Sequence, residues 1–447
     1  MGKLFGTDGV RGVANTELTC DLAFKIGQAG AYVLAKHSVG KPNIVVGKDT
    51  RISGDMLESA LISGFCSVGA NAIKLGVIPT PAVAYLTRMY KADAGVVISA
   101  SHNSMEYNGI KFFNSNGYKL SDEIEDEIED LILSGKISGI KKVVGADVGK
   151  VTVEENGITD YVRFARSTID CDLKDMNIAV DCANGATYMT ACRALAKLGV
   201  NLTVINNFPN GRNINEKCGS THMESLQEIV RGTKCDMGIA FDGDGDRMLA
   251  VDENGNIVDG DQIMAICARD MLEKGTLKND TLVATVMSNM GLFLAGKKHG
   301  FNVKQTSVGD RYVLEQMLKT GENVGGEQSG HIIFLDYNTT GDGLVSALQL
   351  LSIVKKSGKK LSELATAMSV MPQYMVNVSV DNSKKALIND DDVINSKVKE
   401  VSDIFDGKGR ILIRPSGTEP LIRIMMEGDD IEEIKKYTDQ VADMVRE

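Results

Sequence analysis

The chain has no tryptophan, and aromatic residues make up only 5% of it. Proteins that grip single-stranded nucleic acid stack bases on aromatic faces, so that class of function is disfavoured. Positive charge is not in excess either: the formal net charge is −11, which argues against general affinity for DNA, RNA or anionic lipid. No stretch approaches the roughly 18 consecutive apolar residues of a membrane span. The opening MGKLFGTDGVRG lacks the apolar core of a secretory leader. The eight cysteines (Cys20, Cys66, Cys171, Cys182, Cys192, Cys218, Cys235, Cys267) form no CxxC pair. They are expected to be small buried residues in a reducing cytoplasm, not a disulfide framework. The expectation is a cytoplasmic protein with no nucleic-acid and no membrane partner. Any phosphate it binds must meet a local cluster of Arg, Lys and backbone N–H groups.

What the chain does have is repetition. At 447 residues it is too long for one core and should divide into domains. Asn43-Ile-Val-Val-Gly leads through a helical stretch to Gly69-Ala-Asn-Ala-Ile-Lys-Leu. Asn177-Ile-Ala-Val-Asp leads likewise to Gly199-Val-Asn-Leu-Thr-Val-Ile, and Thr281-Leu-Val-Ala-Thr to Phe301-Asn-Val-Lys. Strand, turn, helix, strand is βαβ grammar and implies largely parallel sheets. The expected fold is α/β: three related α/β domains with mainly parallel mixed sheets, at 1–152, 153–253 and 254–370. A C-terminal α+β domain follows at 371–447, with Met371-Pro372 as a candidate hinge. The acidic run 121–133 reads as an amphipathic helix with Asp122 at its N-cap, Glu125 closing a capping-box-like pair and a solvated charged face.

Five motifs carry chemistry. Val97-Ile-Ser-Ala-Ser-His-Asn ends an apolar strand in small polar residues, where a doubly wound sheet places ligand loops. Ser101 is a candidate nucleophile there, although an ordinary Ser/Asn turn explains the segment as well. Lys111 is placed to lower the serine pKa or accept its proton, and His102 lies beside it. Asp242-Gly-Asp-Gly-Asp-Arg puts three carboxylates on one side of an extended segment, a set of oxygens that suits Mg²⁺ or Ca²⁺. An EF-hand loop is the alternative, with Glu253 at its twelfth position; Arg247 replaces the glycine it needs at the sixth. Arg414-Pro-Ser-Gly-Thr-Glu-Pro-Leu-Ile-Arg offers guanidinium forks and turn amides to a phosphate, or is a hairpin with incidental arginines. Gly325-Gly-Glu-Gln-Ser-Gly-His supplies Glu327, Ser329 and His331 for sugar hydroxyls or proton transfer. Gly6-Thr-Asp-Gly-Val-Arg-Gly brings Arg11 as an anion contact or a loop charge.

In this order FGTDGVRG, ISASHN, DGDGDR, GGEQSGH and RPSGTEP resemble the α-D-phosphohexomutase superfamily over the whole chain. Gln328 and Gly417 are similar to its phosphoglucosamine mutase branch rather than to the phosphoglucomutase/phosphomannomutase branch. The resemblance implies four domains around a central cleft and interconversion of glucosamine 6-phosphate and glucosamine 1-phosphate, feeding UDP-N-acetylglucosamine synthesis. It makes Ser101 a phosphoserine and glucosamine 1,6-bisphosphate the intermediate. One Mg²⁺ is held by Asp242, Asp244, Asp246 and an oxygen on Ser101, with Arg247 closing the loop. Lys111, Arg11 and His331 act in catalysis, supported by His102. Glu327 and Ser329 hold sugar hydroxyls; Arg414, Ser416, Gly417, Thr418 and Arg423 hold the non-reacting phosphate; Gly309 and Arg311 of the Val308-Gly-Asp-Arg loop are further candidates. A homodimer is implied by the family alone. Ser104 and Tyr107 stand where the family has Pro and Asp, which bears on loop rigidity. Rival readings are a phosphoglucomutase/phosphomannomutase, a phosphoserine-dependent phosphatase, and a calcium or phosphosugar sensor.

Overall fold

The computed structural model of the protein describes residues 4–6, 8–36, 40–381, 391–405, 408–415 and 421–446. The chain divides into two compact units, one of Met1–Met287 with Phe301–Ala367 and one of Ser288–Gly300 with Met368–Glu447. The first unit uses one plan three times. Asn43–Lys48 pairs in parallel with Asn71–Val77 on one side and Ala94–Ile98 on the other, and Tyr107–Asn114 returns antiparallel beside Ala94–Ile98. Asn177–Asp181 pairs in parallel with Asn201–Ile205 and Met237–Phe241, and Met248–Val251 returns antiparallel. Thr281–Thr285 does the same with Asn302–Thr306 and Val324–Gly326, and Ile332–Phe334 returns. The opening strands are continuous apolar runs, as strands covered on both faces require. Ile44, Val45, Val46, Ile178, Ala179 and Val180 are fully buried.

In every copy the chain reverses beyond the C-terminal end of the third parallel strand. The three reversing segments are residues 99–106, 242–247 and 327–331, which are the serine, aspartate and GEQSGH motifs. The repeated βαβ grammar therefore delivers one chemical loop per sheet from the same topological position, the one where open α/β sheets bind ligands.

Two details of the first sheet depart from expectation. The acidic helix runs over Asp122–Leu133 with Ser121, not Asp122, as N-cap. Its charged side is not wholly solvated: Glu125 and Glu129 are buried. Glu129 Oε2 accepts the backbone N–H groups of Leu4 and Phe5 at 2.8 and 3.1 Å. A helical pattern alone marks charged residues as exposed; here Glu129 satisfies two amides at the start of the edge strand Phe5–Gly6.

The second unit is a three-stranded antiparallel sheet with Leu421–Gly428 between Gln373–Ser379 and Gly409–Pro415. Helices Asp392–Phe405 and Ile431–Arg446 supply Ile394, Val401, Phe405, Ile434, Val441 and Val445 to its core. The helix Met290–His299 belongs to this unit as well, and the Met290 N–H donates to Glu427 Oε2 at 3.0 Å.

The helices Cys20–Ala35 and Gly54–Ser67 cross closely because each has a glycine at the contact. A Cβ on Gly64 would meet the Phe24 carbonyl and the Gln28 nitrogen, and one on Gly27 would meet the Leu61 carbonyl. Alanine normally gains up to about 1 kcal/mol over glycine in a helix. Here the obstacle is backbone, which cannot swing aside, and overpacking costs about 1–3 kcal/mol. Gly64→Ala should therefore lower the midpoint of thermal unfolding, measured by circular dichroism; a raised midpoint would contradict this packing.

Candidate active site

The strand Ala94–Ile98 is buried along its length and ends in Ser99-Ala-Ser101. Ser101 is itself buried, with φ at +52° in the left-handed region. Its Oγ donates to Asp242 Oδ2 at 2.7 Å. His102 Nδ1 stands 3.4 Å from that Oγ but only 2.9 Å from Arg247 Nη1. Burial and the Arg247 charge push the His102 pKa down to about 4. Its lone pair is thus engaged by a guanidinium, which makes it a poor base for the serine.

Asp242, Asp244 and Asp246 follow the fully buried strand Met237–Phe241 and are buried themselves. One oxygen from each lies within 4.8 Å of the others. Asp242 Oδ1 accepts the N–H groups of Gly245 and Arg247 at 3.0 and 3.2 Å, which curls the loop inward. Burial, with the charges of Asp246 and Asp244, pushes the Asp242 pKa well above the ordinary carboxylate range. Asp244 Oδ1 and Asp246 Oδ1 are buried without a hydrogen-bond partner. Orphaned buried oxygens in an all-carboxylate set fit a hard divalent cation. The flanks are strands, and Glu253 bonds to Ser362 Oγ and N–H rather than joining the triplet, so the EF-hand alternative fails.

Around the triplet runs a chain of alternating charge. Asp244 Oδ2 meets Lys111 Nζ at 3.1 Å, and Lys111 meets Asp8 at 2.8 Å. Asp8 meets Lys119 at 2.7 Å, and Lys119 meets Asp310 at 2.6 Å. Asp310 lies 3.4 Å from His331 Nε2, and His331 Nδ1 lies 3.5 Å from Asp246. Arg11 joins through Asp8. Burial works against the charge on Lys111, but Asp244 and Asp8 outweigh it and push the pKa up to about 12. Burial likewise opposes a charged His331, and Asp246, Asp310 and Glu327 together raise it to about 9. The Gly341 N–H points at the same Nε2 from 3.1 Å, which favours a lone pair there. Full carboxylate charges outweigh one amide dipole, so the imidazolium prevails in the metal-free protein.

In the third loop, burial raises the Glu327 pKa against the pull of His331 and Arg247. Ser329 is exposed at its tip. Gln328 donates to Asp259 Oδ2 at 3.1 Å, fastening the loop to the cap of the helix Gly260–Glu273. Gly309, with φ at +129°, precedes the helix Asp310–Thr320. Arg311 turns to the acidic helix, pairing with Asp122 and Glu125 as well as Glu315. In the second unit, Arg414 and Arg423 face one another across neighbouring strands. Burial and the Arg423 charge lower the Arg414 pKa. Ser416, Gly417 and Thr418 lie outside the described residues.

Sequence reasoning passed over Asp8, Lys119 and Asp310, and with them Asp49, Arg51 and Asn215 around the serine loop. Asp8 and Asp310 sit inside motifs whose arginines drew attention instead. Asp49 and Arg51 follow the strand Asn43–Lys48 at its C-terminal end, a position that could have flagged them. Lys119 and Asn215 carry no local signal.

The chain matches four family models: phosphoglucomutase/phosphomannomutase α/β/α domain I over residues 2–137, domain II over 159–255, domain III over 259–371 and the C-terminal domain over 375–444. It is 60% identical over 445 residues to a phosphoglucosamine mutase of Ruminiclostridium cellulolyticum, covering 100% of this chain and 99% of that protein. With a phosphoglucosamine mutase of Clostridium novyi it shares 59% over 447 residues, at 100% and 99% coverage. Among solved structures it resembles a phosphoglucomutase/phosphomannomutase family protein from Burkholderia thailandensis, with TM-score 0.83, 23% identity and coverage of 100% and 98%. It also resembles Aspergillus fumigatus N-acetylphosphoglucosamine mutase in complex with GlcNAc-6P and magnesium, with TM-score 0.68, 18% identity and coverage of 100% and 96%. At these identities the structures speak to the fold.

His331 gives a measurable consequence in chelator-treated protein. Its folded pKa of about 9 exceeds the ordinary 6.5, so it contributes stability that is fully present below about pH 6.5 and lost as pH rises through about 9. NMR titration of the imidazole should find the raised value, and Asp310→Asn should lower it. An unshifted His331 in the metal-free wild type would refute the charge chain.

Proposed function

The chain belongs to the phosphoglucomutase/phosphomannomutase family, and from that membership we propose that it interconverts glucosamine 6-phosphate and glucosamine 1-phosphate through a phosphorylated Ser101. The observation that carries the reading is Ser101 Oγ bonded at 2.7 Å to a carboxylate of a buried, metal-fitting triplet. Relatives named phosphoglucosamine mutase, similar over the full chain, support the amino-sugar substrate.

Asp242, Asp244 and Asp246 would hold Mg²⁺ together with an oxygen on phospho-Ser101. Bound there, the ion would neutralise phosphoryl oxygens and stabilise charge developing in transfer. The rest falls to side chains of this chain. Ser101 presents the phosphoryl group, and its Oγ–P bond breaks as a sugar hydroxyl oxygen bonds to phosphorus in line. Lys111 Nζ is charged at neutral pH and stabilises the transferring group. It hands a proton to the departing Oγ, a far stronger base, as it takes up the proton the attacking sugar hydroxyl loses, so its charge is kept. Arg11, Arg247 and His331 add fixed positive charge, with His102 as a neutral neighbour. Glu327 and Ser329 orient sugar hydroxyls, and the Gly309 backbone N–H supports Glu327. Arg311 must first leave its carboxylate partners before it can serve. Arg414, Ser416, Gly417, Thr418 and Arg423 grip the phosphate that does not react. Donors that recognise phosphate alone accept either end of glucosamine 1,6-bisphosphate, which lets the intermediate reverse and return its other phosphate to Ser101. Such a reaction belongs in the cytoplasm, where phosphosugars are made and used.

The family models are described as phosphoglucomutase/phosphomannomutase, which favours those activities as the second reading. Parallel turnover of glucosamine, glucose and mannose phosphates decides between them; fastest turnover of glucose or mannose phosphate would overturn the amino-sugar assignment. Ser101→Ala should lower interconversion by at least about 10³-fold, the scale expected for loss of a nucleophile, in a coupled assay on folded protein. Retained turnover would end the phosphoserine mechanism.

A further inference from the structure

The serine loop is fixed by donors aimed at its backbone carbonyls. Arg51 Nη2 donates to the carbonyls of Ser101 and Asn103 at 3.0 and 2.7 Å, and Nη1 donates to that of Ser104. Asn215, from the second repeat, donates its Nδ2 to the same Ser101 and Asn103 carbonyls at 2.9 Å each. Arg51 is in turn held by Asp49, with Arg51 Nε donating to Asp49 Oδ2 and the Arg51 N–H to Asp49 Oδ1, both at 2.9 Å. The same Oδ2 accepts from Ser99 Oγ at 2.6 Å, and Ser99 Oγ accepts the Ser101 N–H at 2.9 Å. Both peptide groups of Ser101 are thus tied to one buried Asp49–Arg51 pair whose side chains are 0% exposed. The residue so pinned has a left-handed backbone that a Cβ disfavours. Such a conformation persists only where its surroundings over-determine it.

We infer that Arg51 and Asn215 are positioning residues that decide whether the Ser101 phosphoryl group passes to sugar or to water. This rests on the phosphoserine reading above. Transfer to sugar needs Ser101 Oγ, phosphorus and a hydroxyl on a separately bound ligand to lie in line. Water is small, mobile and not held to one approach. In the leak, a water oxygen bonds to phosphorus while the Oγ–P bond breaks. The electron pair stays on Oγ, which takes up a proton, and inorganic phosphate leaves. A loosened loop therefore penalises transfer more than hydrolysis. Arg51 spends four of its five side-chain donors on Asp49 and the loop carbonyls, Asn215 spends both amide hydrogens there, and both residues are buried, so substrate affinity should change little.

The test uses full-length protein phosphorylated on Ser101 with radiolabelled glucosamine 1,6-bisphosphate, as wild type, Arg51→Lys and Asn215→Ala. Lysine keeps the charge but loses the planar fork that reaches three carbonyls. Three quantities are read: inorganic phosphate released without sugar, sugar-phosphate interconversion, and the thermal midpoint. Interconversion should fall by about 10²-fold, the scale of a 1 Å misplacement, with KM within about twofold. Phosphate released per turnover should rise at least about tenfold, because hydrolysis lacks that alignment. If the folded variants partition phosphate as the wild type does, or lose both rates in step with their thermal midpoint, the inference is wrong. Should Arg51→Lys not fold, Asn215→Ala alone decides. A wild type that carries no phosphate on Ser101 would instead remove the functional reading, which keeps the two failures apart.

Discussion

Asp242, Asp244 and Asp246 bring ligand oxygens within 4.8 Å of one another in the protein interior. Like charges at that spacing, screened from water, repel strongly. The fold can hold such a group only by placing positive charge against it, and most of that charge comes from other segments of the chain. Lys111 arrives on the return strand of the first sheet and His331 at the end of the third loop, while Arg247 closes the aspartate loop itself. Burying those cations creates a second demand for anions, met by Asp8 and Asp310 with Lys119 between them. Each charge in the sequence Asp244, Lys111, Asp8, Lys119, Asp310, His331, Asp246 is tolerable because its neighbours are opposite. Removing one member leaves an uncompensated buried charge, which costs far more than a surface pair contributes. The alternation is thus a constraint that spans all three α/β repeats.

The repeats explain how three distant segments can meet that constraint. In a parallel three-stranded unit the third strand ends on the ligand-binding side of the sheet. Following it with an antiparallel strand turns the chain immediately, so the turn itself becomes the functional loop. One loop carries a buried serine bonded to Asp242, one a carboxylate set and one a glutamate and histidine. The scaffold is the same each time; the chemistry lies in a few residues at one position of it.

That division also accounts for what could be read from sequence. Strands such as NIVVG, NIAVD and TLVAT announce themselves by composition, and glycine-flanked aspartates or a Ser-His-Asn turn are local patterns. The order of the sheets and the C-terminal strands and helices were legible for that reason. The charge chain was not, since Lys119 and Asp310 are partners only in three dimensions. In the Val308-Gly-Asp-Arg segment the motif drew the eye to Arg311, yet the helix that begins at Asp310 turns the arginine toward Asp122 and the aspartate toward Lys119 and His331. Adjacent residues on a helix face different directions. The acidic helix misled for the opposite reason: its period marks Glu129 as a surface charge, and nothing local reports that the amides of Leu4 and Phe5 need an acceptor there.

Asp242 stands where these requirements meet. In the unmodified protein its Oδ2 accepts the Ser101 hydroxyl, and its pKa is already held high by burial and by its two acidic neighbours. Phosphorylating Ser101 removes that donor and adds about −1.5 to −2 charge beside the triplet. Lys111 is already paired with Asp244 and Asp8, and Arg247 Nη1 is engaged with His102 Nδ1. The modified site therefore demands further positive charge, and a divalent cation held by the orphaned oxygens of Asp244 and Asp246 is the one addition this donor set suits. Cation affinity and serine phosphorylation must then favour one another by equal amounts, as linkage requires. The same reasoning explains why the serine backbone is anchored by neutral carbonyl contacts from Arg51 and Asn215 instead of by the charges of the site. An anchor built from those charges would respond to any change of charge at Ser101; hydrogen bonds to the peptide groups are made to atoms that such a change leaves chemically unaltered.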